Sequence, residues 1–329
     1  MSTPSPAFVE PLGDGIAAID TGFHRDRYDA AYLVVEGGRA AFIDTGTAHA
    51  VPRLLAALDA AGLAPSAVDF VIATHVHLDH AGGVGQLMQA LPAAQLVVHP
   101  RGARHMIDPA DLWQGALGVY GQAQMDRAYG RLEPVPAERV RTTADGETLH
   151  LAGRPLVFAH TPGHALHHHC IWDARSGGWF TGDNFGMALP EFDVDGRPFI
   201  FPTTTPVQFD PVAMHASIDR MLQTAPRQMF LTHYGSIRGI ADCGARLKTS
   251  LDETVRVALE QRDPPDRLAA LTAALVALYV RDARALGVER SPGEIAALLH
   301  DDAALNAAGL VVWLDRLAKR ARAPTSAAT

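Results

Sequence analysis

Cysteine is almost missing from this sequence: Cys170 and Cys243 are the two among 329 residues. Two thiols cannot build a disulfide scaffold, so both read as reduced cysteines of a cytoplasmic protein. Lysine is scarce too, with Lys248 and Lys319 alone and arginine supplying the other basic side chains; on an alanine-rich background this reflects codon usage. Positive charge is in deficit, 28 Lys plus Arg against 36 Asp plus Glu for a formal net charge of −8, which argues against a nucleic-acid partner. Long hydrophobic runs are missing as well. The most apolar, residues 268–280, is interrupted by a threonine and is too short to cross a bilayer. The first residues lack the basic segment and apolar stretch of a signal peptide. These absences predict a cytoplasmic protein with a small-molecule partner, no nucleic acid and no membrane, and they leave a homodimer open.

What is present is the composition of a globular protein, 48% hydrophobic and 19% charged, in a chain long enough for more than one structural unit. Up to about residue 239, short strand and helix signals alternate. Apolar runs at 32–36 and 40–43, joined by Gly37-Gly38, predict a hairpin. Leu54, Leu55 and Leu58 lie at helical spacing between Pro52 and Gly62, a start and a stop signal. A strand is expected at 68–73, a short helix at 84–91 and another strand at 95–99. Residues 101–140 lose the strand pattern and carry Met106, Trp113, Tyr120, Met125 and Tyr129. They predict a helical insertion whose aromatics either pack onto the core or close over a pocket as a lid. Strands return at 148–151, 155–160, 168–172 and 179–181. Residues 186–211 read as a long ordered loop and 228–232 as one more strand. Past 240, the segments 241–261, 265–286 and 292–321 are Ala/Leu-rich at helical spacing. The expected organisation is a catalytic unit over 1–239 followed by a helical region over 240–329.

Histidine, at 16 residues, is in excess, and it clusters. Directly after the strand at 68–73 stands His75-Val76-His77-Leu78-Asp79-His80, four metal-capable groups in six residues. Alternation along an extended backbone puts His75 and His77 on one side, and a following turn brings Asp79 and His80 close. Imidazole and carboxylate without thiolate suit Zn(II), Fe(II) or Mn(II). Three later residues fall at the ends of expected strands: His164 in His160-Thr161-Pro162-Gly163-His164, Asp183 in Thr181-Gly182-Asp183-Asn184, and His233 in Leu231-Thr232-His233-Tyr234-Gly235. Ligands delivered from several strand ends are what a rigid metal scaffold requires. For His160 and the run His167-His168-His169, hydrogen-bonded structural roles are expected, and Cys170 reads as a small buried hydrophobe.

In these residues the chain resembles the metallo-β-lactamase superfamily. The family's His-x-His-x-Asp-His signature is matched by His75, His77, Asp79 and His80, and its later His, Asp and His by His164, Asp183 and His233. The likeness covers about residues 8–239. It implies an α/β fold, the αββα metallo-β-lactamase sandwich of two facing sheets with helices outside, here with a C-terminal α-helical extension. It also implies two divalent metal ions, zinc foremost with iron or manganese as alternatives. One would be held by His75, His77 and His164, the other by Asp79, His80 and His233, with Asp183 bridging. Asp44, in Ile43-Asp44-Thr45-Gly46, matches the family's strand-end Asp, which orients ligands and does not bind metal.

A water shared by two divalent cations loses its proton far more readily than bulk water, whose pKa of about 15.7 falls to about 7 on a single zinc. The expectation is therefore hydrolysis of an ester, thioester, lactone or related bond by a metal-bridging hydroxide, with Asp79 moving protons. Tyr234, Phe185 and Trp113 are candidate substrate contacts, and Tyr120, Phe192, Phe199 and Phe201 suggest an apolar substrate moiety. Asn184, Phe185 and Gly186 stand where lactonases of the superfamily place a tyrosine, which weighs against a lactone. Two other readings are carried: a persulfide dioxygenase using one Fe(II) at residues matching His75, His164 and Asp183, and a non-enzymatic metal-binding sensor. One iron per chain indicates the dioxygenase; two zinc ions indicate the hydrolase.

Overall fold

A computed structural model of the chain describes residues 6–322 except 206 and 264, without the side chains of residues 119 and 120; the reading of Tyr120 as a substrate-facing aromatic therefore lies outside the described residues. The first sheet has seven strands in chain order: β1 (Val9–Gly13), β2 (Ile16–Asp20), β3 (Ala30–Glu36), β4 (Arg39–Ile43), β5 (Val68–Ala73), β6 (Gln95–Val98) and β7 (Val140–Thr142). β1 to β4 are antiparallel, and β4 to β7 are parallel. The β3–β4 hairpin turns on Gly37 and Gly38, both at positive φ, a backbone that glycine adopts without strain.

Helical crossovers join the parallel strands. They are α1 (Val51–Ala60), α2 (Leu78–Ala81), α3 (Val84–Ala90), α4 (Pro100–Ile107), α5 (Ala110–Tyr120) and α6 (Gln122–Gln124), the last running into a π-helical turn at Met125–Tyr129. The second sheet contains β8 (Thr148–Leu151), β9 (Arg154–His160), β10 (His169–Asp173) and β11 (Gly178–Phe180). A two-stranded piece, β12 (Met187–Ala188) with β13 (Ile200–Phe201), interrupts the stretch read as a loop. β14 (Gln228–Leu231) and β15 (Gly235–Ile237) complete the second sheet in the order β15-β14-β11-β10-β9-β8. Four further helices are α7 (Pro211–Leu222), α8 (Ile240–Glu260), α9 (Arg267–Leu286) and α10 (Pro292–Arg322). α7 carries a start signal that its sequence shows: the Asp210 side chain accepts from Val212 N and Ala213 N, and Pro211 takes the first helical position, where its missing N–H costs nothing.

The central strands are apolar on both faces, because each face is covered. Tyr32, Val34, Ile43, Ile72 and Val97 of the first sheet meet Leu156, Phe158, Ile171, Phe180 and Phe230 of the second. The alternate residues Leu33, Phe42, Val71 and Leu96 face outward onto Leu54 and Leu58 of α1 and Val84 and Leu87 of α3. Cys170, Trp179, Met229 and Leu231 point the other way, into a cluster that runs on through α7 to α10. The layers are helix, sheet, sheet, helix: the αββα sandwich with a C-terminal helical extension.

By length and composition α10 is the one helix among the described residues that could cross a membrane. Its Ile295, Leu299, Ala303, Ala307 and Leu310 are fully buried in the protein core. Both cysteines are buried, and burial pushes the Cys170 thiol up to about 12. Thiolate is the reactive form, so an aromatic disulfide reagent is expected to titrate neither thiol in the native protein and both after unfolding. Fast labelling of the native chain would contradict this placement.

Candidate metal centre

Strand ends and the loops that follow them carry the predicted cluster. β5 ends at Ala73, and Thr74 to His77 follow as an extended turn before α2, which carries Asp79 and His80. His164 follows β9, Asp183 follows β11 and His233 follows β14. The structure brings all seven predicted residues together. His77 Nδ1 lies 2.9 Å from both His75 Nε2 and His164 Nε2. Asp79 Oδ2 lies 3.5 Å from His233 Nε2 and 3.8 Å from His80 Nε2. Asp183 stands between the two groups: Oδ2 is 3.4 Å from His164 Nε2, and Oδ1 is 3.1 Å from His80 Nε2 and 3.6 Å from His233 Nε2. Only His77 and Asp79 of the seven are partly exposed, so solvent reaches the cluster past them.

Hydrogen bonds behind the rings fix which nitrogen faces inward. Asp44, which can only accept, takes bonds from His80 Nδ1 (3.0 Å), Thr74 N (2.8 Å) and Thr232 Oγ1 (3.0 Å). The Thr74 hydroxyl also spends its proton on Asp44 (2.9 Å), so towards His75 Nδ1 (3.2 Å) it accepts. Thr203 Oγ1 likewise donates to the Asp183 carbonyl (2.8 Å) and accepts from His164 Nδ1 (3.1 Å). His233 Nδ1 donates to the Tyr28 carbonyl (3.1 Å). Four rings therefore carry a proton on Nδ1 and turn Nε2 into the cluster, the arrangement that outer hydrogen bonds give to metal-binding histidines. Asp44 also holds φ at +56°, a conformation uncommon for a non-glycine residue and concentrated at functional sites.

Charge separates the two groups. Burial, with His80 and His77 nearby, drives His75 well below the usual imidazole range, and burial with His164 takes His77 to about 3. Both are neutral at pH 7, so His75 Nε2 and His164 Nε2, whose protons sit on Nδ1, present lone pairs towards His77 Nδ1. On the other side burial opposes charge on His80 and His233, but Asp183 and Asp79 outweigh it, holding His80 well above its ordinary value and His233 at about 9. His80 Nε2 and Asp183 Oδ1 face each other at 3.1 Å without a well-aligned hydrogen bond, and poorly paired buried polar atoms are costly. Converging imidazole nitrogens and carboxylates fit divalent cations: one group is His75, His77 and His164, and the other contains Asp79, His80 and His233.

A family model described as the metallo-β-lactamase superfamily matches residues 24–239. The chain belongs to the metallo-β-lactamase superfamily. Among curated relatives of this superfamily, the metallo-β-lactamase fold-containing protein ST1585 of Sulfurisphaera tokodaii is 28% identical over 175 residues, 52% of this chain and 62% of its own length. The acyl-coenzyme A thioesterase MBLAC2 of Gallus gallus is 29% identical over 183 residues, 53% of this chain and 64% of its own. The match thus spans less than two thirds of either relative. A metallo-β-lactamase family protein of Thermus thermophilus, TTHA1429, superposes with a TM-score of 0.62 at 20% identity, covering 94% of this chain and 93% of that one.

The other predicted contacts are not brought to the cluster. Phe185 is fully buried in the apolar cluster outside the second sheet, where Phe192, Phe199 and Phe201 join it. Phe201 packs 4.7 Å from Tyr279 of α9, so these aromatics serve packing. Tyr234 lies in the inter-sheet core with the Arg27 guanidinium over its ring. Trp113 is half-buried and lines a cavity of about 730 Å3 with Gln114, Gln122, Asp126, Arg131 and Leu132. A hollow of about 420 Å3 lies between Thr21, Phe23, His24, Thr47, His49 and Arg127. In the histidine run, His168 Nε2 accepts from Asp183 N (3.2 Å), while His169 Nε2 donates to Ala73 O (2.8 Å). The hydrogen-bonded roles expected of that run are what the structure shows for these two. Residues that sequence reasoning missed are Tyr28, Thr74, Thr203, Thr232 and Asp29, whose buried carboxylate lies 3.9 Å from His233 Nδ1. The dipeptides Thr74-His75 and Thr232-His233 were a signal for two of them.

Proposed function

We infer that the chain is a metal-dependent hydrolase with a dinuclear centre, acting on an ester or thioester. The carrying observation is Asp183, whose two oxygens face two different imidazole groups. His75, His77 and His164 would hold one divalent ion and Asp79, His80 and His233 the other, with Asp183 shared. When bound, such a pair supplies Lewis acidity and a water with a lowered pKa. The chain's own residues do the rest. Asp44, Thr74, Thr203 and Tyr28 hold the imidazoles in one tautomer. Asp79, the partly exposed carboxylate, is the group through which a proton can pass between the cluster and substrate or solvent. The helical insertion over 101–140 lines both hollows, one through Trp113 and the other through Arg127, and neither lining contains a residue of the cluster. A thioester is favoured over a lactone because a matching relative is an acyl-coenzyme A thioesterase and because no tyrosine follows Asp183 closely.

Elemental analysis of protein purified without added metal is expected to find two divalent ions per chain, zinc foremost. The loaded protein is then expected to hydrolyse at least one member of a panel of acyl thioesters and esters, and to lose that activity after chelation. Two metals with no turnover across the panel would sink the hydrolase reading in favour of a metal-binding sensor. A single iron, with oxygen uptake on a persulfide, would replace it with the dioxygenase.

A further inference from the structure

α10 begins more than fifty residues beyond the stretch the family model matches, yet it reaches the candidate metal centre. Asp302, Asn306 and Gly309 follow one another at i, i+4 and i+7, so they share one face of the helix. Asp302 and Asn306 are 5% and 2% exposed, a costly placement for polar groups unless every one finds a partner.

Asn306 is engaged with one loop and with α9. Its Oδ1 accepts from Thr204 N (2.7 Å) and its backbone carbonyl from Thr204 Oγ1 (2.9 Å). Its Nδ2 donates to Pro202 O (3.1 Å) and Tyr279 Oη (2.9 Å). The residues on either side of Thr203 are thus gripped from α10. Gly309 lets the helix come this close: a Cβ there would sit 1.6 Å from the Thr204 carbonyl oxygen. Thr203, held between, is the residue whose hydroxyl binds both the Asp183 carbonyl and His164 Nδ1. Asp302 serves the other side. Its Oδ1 accepts from Tyr28 Oη (2.5 Å), and Tyr28 presents its carbonyl to His233 Nδ1 with its ring 5.5 Å from the His233 ring.

We propose that Asp302 and Asn306 are positioning residues of the metal centre. Through α10 they hold Thr203 and Tyr28 where these orient His164, Asp183 and His233. The C-terminal helical region is then part of the site's outer scaffold. The proposal rests on the ligand reading given above.

The test uses the full chain, stripped by chelator and titrated with Zn(II) against a chromophoric chelator, with thermal unfolding of the metal-free form measured in parallel. Asn306→Ala and Tyr28→Phe are expected to weaken zinc binding by about 10-fold, the low end of the loss typical of a direct outer partner of a metal ligand, because each acts one residue further out. The comparison variant is Leu299→Ala, which loosens α10 at a fully buried apolar position. It is expected to lower the metal-free melting temperature while keeping wild-type zinc affinity. Tyr28→Phe removes one oxygen and no packing, so it carries the comparison should Asn306→Ala fail to fold. Wild-type zinc affinity in both polar variants, or an equal loss in Leu299→Ala, overturns the proposal. A wild-type chain that binds no zinc fails in a separate arm and removes the ligand reading together with this proposal.

Discussion

Asp183→Ala is expected to reduce the bound metal from two ions per chain to one or fewer, and to lower hydrolysis of the best panel substrate by about three orders of magnitude, roughly 4 kcal/mol at 1.36 kcal/mol per decade. Among the described residues the carboxylate is the one with an oxygen towards each imidazole group, Oδ2 at 3.4 Å from His164 Nε2 and Oδ1 at 3.1 Å from His80 Nε2. Its loss therefore removes a contact from both groups at once. It also removes negative charge that offsets burial at His80 and His233. Loss of an outer partner is smaller: Asp44→Asn keeps the shape behind His80 but cannot accept all four of its donors, and about 10–100-fold is expected. Both variants are read in one assay, initial rate against metal content. A rate for Asp183→Ala within tenfold of wild type, with two ions still bound, would show that the carboxylate is not shared between metals.

Much of this centre was legible in the sequence because its chemistry is local. His75, His77, Asp79 and His80 fall in six residues, and His164, Asp183 and His233 each stand just past an apolar strand. The strand at Val68–Ala73 and the Gly37-Gly38 hairpin were readable for the same reason, since period and turn chemistry are written in neighbouring residues. What was not legible is long-range. Thr203 meets Asp183 and His164 only because a loop closes across them, and Asn306 meets Thr204 across about a hundred residues. Nothing near Asn306 in an Ala/Leu-rich helix announces a partner. Phe185 illustrates the converse. An aromatic two residues from Asp183 invites a role in substrate binding, but it turns into the apolar cluster between the second sheet and the C-terminal helices. Short, two-residue strands such as β12 and β13 carry too few residues for a period to show in the sequence.

The largest effect on stability is expected at the other end of β9 from the metal centre, where Arg154 and Asp173 form a buried ion pair with side chains 1% and 0% exposed. Arg154 Nε donates to Asp173 Oδ1 at 3.0 Å, and Nη2 donates to Oδ2. Nη1 reaches across to the Asp14 carbonyl in the β1–β2 turn (2.6 Å), tying the second sheet to the first. Asp173 is further held by Ser176 N (3.2 Å) and Arg175 N (3.3 Å). Arg154→Met leaves that carboxylate buried and short of its main partner, which typically costs about 3–5 kcal/mol; at roughly 2–4 °C per kcal/mol the melting temperature should fall by on the order of 10 °C. Replacing both partners together, Arg154→Met with Asp173→Leu, is expected to recover most of the loss, because no orphaned charge remains. Burial resists ionisation of Asp173, but the Arg154 and Ser176 bonds outweigh it and hold its pKa below the ordinary value. A depressed folded-state pKa gives stability that is fully present above the unfolded carboxylate value of about 3.9 and is lost as pH falls through the folded one. Without Arg154, burial is left to raise the Asp173 pKa in the variant, so the gap should be widest at neutral pH and above and narrow as pH falls, first as the variant's carboxyl takes up a proton and then as the wild-type one does. Thermal unfolding at several pH values checks both the size and the sign, and zinc content should stay at the wild-type level because neither residue belongs to the centre. A single variant that melts with wild type, or a double variant no better than the single, would mean that the pair does not hold the sheets together.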